Sequence, residues 1–132
     1  EESPGSRGLG VFPGVVKRLR PSQSGGMRVP NIGWRKVSHI GNDSSVWPAE
    51  VFGGNDGGAH FYFVHSYYAA PSDPSICSSV AKFDNFEYCA SVTDKSIFAC
   101  QFHPEKSGKR GLLVFKNFAR SIEQAFLRAS PS

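Results

Sequence analysis

An α/β fold is what this sequence predicts, and three stretches carry the prediction. The first is the aromatic run Phe61–Tyr68 (FYFVHSYY), whose rings around Val64 suit the pleated, half-buried surface of a strand. The second is a pair of shorter runs, Phe86–Val92 and Ser96–Phe102, which read as a hairpin turning at Thr93, Asp94 and Lys95. The third begins at Gly111, where Leu112, Phe115, Phe118 or Ala119, Ile122 and Phe126 recur at intervals of three and four. That period is helical, and it runs to about Arg128 with Lys116, Arg120 and Glu123 mostly on the opposite face. The arrangement expected is therefore strands, a hairpin and a closing helix. Leu112, Phe115, Ile122 and Phe126 should be buried against the sheet, each contributing roughly 1.5–3 kcal/mol if fully covered.

Taken in order, the chain opens on Glu1, Glu2, Ser3, Pro4 and Gly5 with neither a Met nor a capping signal, which reads as the interior of a longer polypeptide. Pro13-Gly14 is a turn dipeptide, and Val15–Leu19 after it reads as a strand. Pro21–Gly26 is a Ser, Gln and Gly loop, and Met27–Val37 is a second strand interrupted at Gly33. Asn42–Ser45 is turn-like, and the glycines of Phe52–His60 make a loop. Pro71–Pro74 ends the aromatic strand. There are no internal repeats and no sign of a second domain.

Composition removes several classes of function. The 132 residues suffice for one modest domain, and 39% hydrophobic with 20% charged residues is ordinary globular content. No apolar run approaches membrane-spanning length, and no charged-then-apolar leader is present. The formal charge of +4 is spread over scattered Lys and Arg (Lys17, Arg18, Arg20, Arg35, Lys36, Lys106, Lys109, Arg110), not the basic and aromatic stripe of a nucleic-acid binder. The cysteines Cys77, Cys89 and Cys100 are odd in number and lack paired spacing, so neither a zinc site nor a disulfide framework follows. His39, His60, His65 and His103 are equally dispersed. No metal or organic cofactor is implied, and a reducing, cytoplasmic setting is the simplest inference.

The chemistry concentrates in IFACQFHPEKSG, Ile97–Gly108. Ile97, Phe98, Ala99 and Phe102 read as a short buried strand, which Pro104 closes by withholding a donor from the sheet. On an extended chain residues two apart face one side, so His103 and Glu105 share a space. A carboxylate on one imidazole nitrogen fixes the tautomer and leaves the other nitrogen to accept a proton, as a nucleophile's base must. The plainer account of a bare His-x-Glu is a strand-end histidine beside a surface carboxylate, and the two residues alone leave both open.

The whole run QFHPEKS resembles the closing motif of class I glutamine amidotransferases, which hydrolyse glutamine through a cysteine in a triad. FYFVHSYYA at Phe61–Ala69 and VPNIGW at Val29–Trp34 narrow the resemblance to the glutaminase-subunit family of imidazole glycerol phosphate synthase, in histidine biosynthesis. The similarity spans essentially the whole chain. It implies a flavodoxin-like domain of which residues 1–132 are the C-terminal portion, lacking the half with the nucleophile elbow. It implies His103 as general base and Glu105 as its orienting carboxylate. Glu2 (or Glu1 beside it) would hold the α-ammonium of glutamine, and the backbone amides of Ser66 and Tyr67 its carboxylate. Trp34, Tyr62 and Lys106 would border a barrel-shaped cyclase subunit that receives the ammonia. Each has a plainer reading: a solvated terminal carboxylate, a core-filling strand, and for Trp34 an aromatic core residue. His65 reads as a hydrogen-bonded structural histidine. Two positions depart from the resemblance: Asn31 stands where relatives often have His, and Arg35 where they often have Asn.

The resemblance also requires a cysteine on a glycine-flanked strand-to-helix elbow. Cys77 lies in a Pro- and Ser-rich stretch read as loop, Cys89 inside a strand, and Cys100 across the strand from His103, none with a glycine neighbour. All three read as structural thiols, and the chain alone should be inactive. Three other identities are compatible with the residues. They are another class I amidotransferase, a non-catalytic module that docks a cyclase, and half of a split enzyme completed by a chain carrying the Cys elbow.

Overall fold

The computed structural model describes residues 5–21, 23, 26–40, 58–94 and 97–129. Its described elements are seven strands, two 3-10 turns and one long helix. A two-stranded sheet pairs β1 (Gly14–Arg18) antiparallel with β4 (Tyr67–Pro71). A five-stranded sheet has the order β3-β2-β5-β6-β7, formed by β2 (Asn31–His39), β3 (Ala59–His65), β5 (Cys77–Phe83), β6 (Phe86–Asp94) and β7 (Ile97–Cys100). Every pairing among the described strands is antiparallel. One 3-10 turn, Pro74–Ile76, precedes β5, and another, Pro104–Lys106, leads into helix α1 (Gly108–Ala129). This is a mixed α/β architecture with a closing helix, the class the sequence predicts.

Strand β3 shows why the aromatic run is a strand. Ala59, Phe61, Phe63 and His65 are buried while His60 and Val64 are exposed, the period of two expected where one sheet face is covered. Phe61, Phe63, Phe83 and Val37 have no solvent exposure, and Leu19, Tyr88 and Phe102 join them in one core. The rings of Phe61 and Phe102 lie 4.3 Å apart. Phe102 thereby packs the start of the QFHPEKS run onto the centre of the aromatic strand.

The aromatic run is not one strand. It breaks at Ser66, after which the chain leaves the larger sheet to pair with β1, and Leu19 N–H donates to the Ser66 carbonyl at 2.9 Å. A strand also replaces the expected loop around Cys77. Alternation in β5 puts Ser79, Ala81 and Phe83 inward, and a tight turn with Asp84 at φ 57° returns the chain as β6. Asp tolerates that left-handed conformation better than most residues. The hairpin of β6 and β7 forms, but Thr93 and Asp94, expected at its turn, pair with Phe98 and Ile97 inside the ladder, and residues 95–96 lie outside the described residues. The Asn42–Ser45 turn and residues 52–57 of the glycine-rich loop lie outside the described residues, while Ala59 and His60 of that stretch open β3.

The helix corrects the sequence reading more sharply. Leu112, Phe115, Ile122 and Phe126 are 63%, 52%, 41% and 73% exposed, so the expected stripe is not buried. Periodicity establishes that a helix has an apolar face, not that a partner lies against it. Among the described residues, the buried positions of this helix lie in its first turns. Val114 is 3% exposed and joins the core, and Gly111 meets the Pro104 backbone so closely that a Cβ there would overlap the carbonyl oxygen.

Candidate active site and exposed aromatic surface

The side chains of His103 and Glu105 meet at the end of the core. His103 Nδ1 lies 2.7 Å from Glu105 Oε1, with both side chains substantially exposed. Strand alternation is not what joins them, because β7 ends at Cys100. His103 instead occupies the extended N-cap position of the 3-10 turn, and Glu105 sits inside it. Nδ1–H donates to the carboxylate, so Nε2 is the nitrogen that can accept a proton. The Glu105 carboxyl is held below its ordinary value, first by its own backbone N–H and then by His103 and Lys106. It stays ionised and can orient the imidazole near neutral pH.

The turn is tied to β3 at two points, and a third bond closes it on itself. His103 N–H donates to the Tyr62 carbonyl at 2.9 Å, Tyr62 N–H donates to Ser107 Oγ at 3.0 Å, and Ser107 Oγ–H donates to the His103 carbonyl at 2.6 Å. Ser107 is 2% exposed and is the residue that sequence reasoning missed. Its place at the end of QFHPEKS was visible, but its bonding depends on a strand more than forty residues away.

Trp34, Tyr62 and Lys106 come together on the outer face of the sheet. Trp34 pairs with Tyr62 across β2 and β3, with ring centroids 6.0 Å apart edge to face, and Lys106 Nζ lies 5.8 Å from the Tyr62 ring centroid. Trp34 is 50% exposed, and Ile32 and Val64, paired on the same face, are exposed too. One three-residue turn therefore carries Glu105 toward His103 and Lys106 toward this aromatic surface.

Ser66 and Tyr67 lie at the corner between β3 and β4, with the Arg18 guanidinium 5.9 Å from the Tyr67 ring centroid. Beneath the corner is a closed polar network. His65 Nδ1–H donates to the Tyr67 carbonyl at 2.8 Å, and Asn31 Nδ2 donates to His65 Nε2 at 2.9 Å and to Tyr88 Oη at 3.3 Å. Burial lowers the His65 pKa, and the Arg35 and His103 charges lower it further against the opposing Tyr67 bond. Its Nδ1 is committed to a carbonyl and its ring to the core, a structural role. Burial likewise raises the Tyr88 phenol. Glu1 and Glu2 lie outside the described residues.

None of the three cysteines occupies a strand-to-helix turn. Cys77 starts β5 after a 3-10 turn, Cys89 is inside β6, and Cys100 ends β7 with its Sγ 3.4 Å from the Phe102 carbonyl. Burial, with Glu105 adding to it, pushes the Cys100 thiol up to about 12, the opposite of nucleophile activation. Among the described residues no group of His, Cys, Asp and Glu could hold a metal ion, and no helix is long and apolar enough to cross a membrane.

Residues 22–122 match the family described as Glutamine amidotransferase class-I. The chain is 43% identical over 123 residues to the imidazole glycerol phosphate synthase subunit HisH of Pyrococcus furiosus, covering 91% of this chain and 56% of the relative. It is 38% identical over 125 residues to the subunit of the same name from Moorella thermoacetica (95% and 54%) and 41% identical over 126 to that of Thermococcus kodakarensis (91% and 57%). The chain thus spans about half the length of these curated relatives.

Proposed function

This chain belongs to the class I glutamine amidotransferase family, and from that premise we propose that it is part of the glutaminase of imidazole glycerol phosphate synthase, supplying ammonia to a cyclase subunit. The observation that carries the reading is the 2.7 Å His103–Glu105 pair, built on the turn that also presents Lys106 to the Trp34–Tyr62 surface. His103 would take the proton of a cysteine thiol as it attacks the glutamine amide, then return it to the departing ammonia, while Glu105 stabilises the imidazolium. The Ser66 and Tyr67 amides would hold the substrate carboxylate and Glu2 its α-ammonium. Trp34, Tyr62 and Lys106 would face the cyclase.

The thiol belongs to a part of the domain other than residues 1–132, so this chain alone is inactive in our reading. A specific observation supports a missing partner segment, on the same polypeptide or a separate one. Leu112, Phe115, Phe118, Ile122, Phe126 and Leu127 expose apolar surface along α1 that a complete domain would cover. The test is glutamate release, measured for the chain alone and then after mixing with a polypeptide that carries a class I Cys elbow. Release only after mixing, and lost with His103→Ala, supports the proposal. Release by the chain alone, abolished by Cys77→Ser, Cys89→Ser or Cys100→Ser, would overturn it. A cyclase-docking module without catalysis would give binding but no release in either case.

A further inference from the structure

We propose that Arg35 is a positioning residue: it clamps the kink at Gly33 that presents Trp34, and through Asn31 it sets the orientation of His65 beneath the Ser66–Tyr67 corner. The inference rests on the reading of Trp34 as partner-facing for its binding consequence, but its structural content stands separately. Gly33 lies inside β2 with φ at +118°, in the region that favours glycine. The two carbonyls flanking it are taken by one guanidinium. Arg35 Nη1 donates to Trp34 O at 2.9 Å and Nη2 to Ile32 O at 3.4 Å. A Cβ on Gly33 would sit 3.7 Å from Nη1, so the guanidinium lies directly over the kink.

The third bond reaches inward. Arg35 Nε–H donates to Asn31 Oδ1 at 3.0 Å, and Asn31 is fully buried. That bond decides which way the amide points. Turned over, the amide would set its NH₂ against the Arg35 N–H and its oxygen against the lone pair of His65 Nε2. Held by Arg35, it offers N–H to His65 Nε2 at 2.9 Å and to Tyr88 Oη at 3.3 Å, and Tyr88 Oη lies 3.2 Å from the same Nε2. Nε2 is therefore an acceptor, the ring proton sits on Nδ1, and Nδ1–H donates to Tyr67 O at 2.8 Å. A continuous run of hydrogen bonds joins the carbonyls beside Trp34 to the carbonyl of Tyr67. Lysine, a point charge without a planar fork, cannot serve three acceptors in this geometry.

The experiment uses the chain labelled with 15N-histidine and 19F-tryptophan, its fold checked by circular dichroism. Long-range 1H–15N spectra of the parent chain should show His65 as the Nδ1–H tautomer, and the Trp34 fluorine signal should be single and narrow. Arg35→Gln should mix the His65 tautomers and broaden or split the Trp34 signal, and Arg35→Lys should restore neither. Asn31→Ser should disturb the His65 tautomer while Trp34 stays narrow, because the two carbonyl bonds do not pass through Asn31. A folded Arg35→Gln chain with both signatures unchanged would overturn the proposal. If that variant does not fold, Asn31→Ser broadening Trp34, or leaving His65 unchanged, overturns it equally. Binding to the cyclase encoded in the same genome separates this idea from the functional reading. Arg35→Gln should weaken it by about 10-fold, and Trp34→Ala should weaken it more. If Trp34→Ala binds as the parent does, the partner-facing reading fails while the two spectra still decide the clamp.

Discussion

Gly111→Ala should damage both the stability of this chain and the geometry of its histidine–carboxylate pair. Gly111 sits in the first turns of α1, where a Cβ would overlap the Pro104 carbonyl oxygen and come within 2.7 Å of the Pro104 carbonyl carbon. Both are backbone atoms, so no side chain can swing away. The Pro104 carbonyl also accepts from Ser107 N–H at 3.0 Å, and Gly111 N–H donates to Ser107 O at 3.2 Å. Relief therefore requires moving the 3-10 turn that carries Glu105, or lifting the start of the helix, where Val114 is buried in the core. Overpacking usually costs about 1–3 kcal/mol, and a backbone clash belongs at the upper end. For a chain this size, that loss lowers Tm by roughly 10 °C. The assay is thermal unfolding by circular dichroism, paired with the His103 Nδ1 signal as a reporter of the bond to Glu105. Gly108→Ala is the control. Gly108 has open space around it but a φ of +57°, so Ala there should cost about 1–2 kcal/mol through backbone strain without displacing Glu105. An unchanged Tm and an unchanged His103 signal in Gly111→Ala would refute the claim that this glycine sets the turn.

Three further outcomes are expected. Glu105→Gln, measured as glutamate release after combination with a Cys-bearing class I segment, should lower turnover by roughly 10²–10⁴-fold without unfolding the chain. Phe126→Ser and Phe115→Ser should change the unfolding free energy by less than about 0.5 kcal/mol, because both side chains are mostly exposed, yet reduce self-association in sedimentation. Acidification should weaken the fold through His65, whose folded pKa lies below the ordinary 6.5. The unfolded chain then binds more protons below pH 6.5, so stability is fully present above that value and falls as pH drops through the window beneath it. The slope is at most ~1.4 kcal/mol per pH unit from this group, and comparing Tm for the parent chain and His65→Gln between pH 7.5 and 5.5 isolates it.

Much of this protein was legible in the residues because the responsible forces are local. Phe61–Phe63 alternation dictates a strand and the recurrence from Leu112 to Phe126 dictates a helix, whereas β7 ends at Cys100, before Pro104, which instead opens the 3-10 turn. His103 and Glu105 were legible as a pair from the motif, although a 3-10 turn, not the expected strand end, brings them to 2.7 Å. What only the tertiary structure decided concerns partners distant in sequence. Ser66 breaks the aromatic run because β1, far upstream, takes β4 into a second sheet. Ser107 matters because its hydroxyl reaches Tyr62 and His103 together. Asn31 and Arg35 stood out only as departures from the resemblance, yet one is fully buried against His65 and Tyr88 and the other clamps Gly33. The helix stripe failed for the complementary reason: amphipathicity is written along one segment, but burial needs a second surface, and among the described residues of α1 the buried ones, Gly111 and Val114, lie at its start.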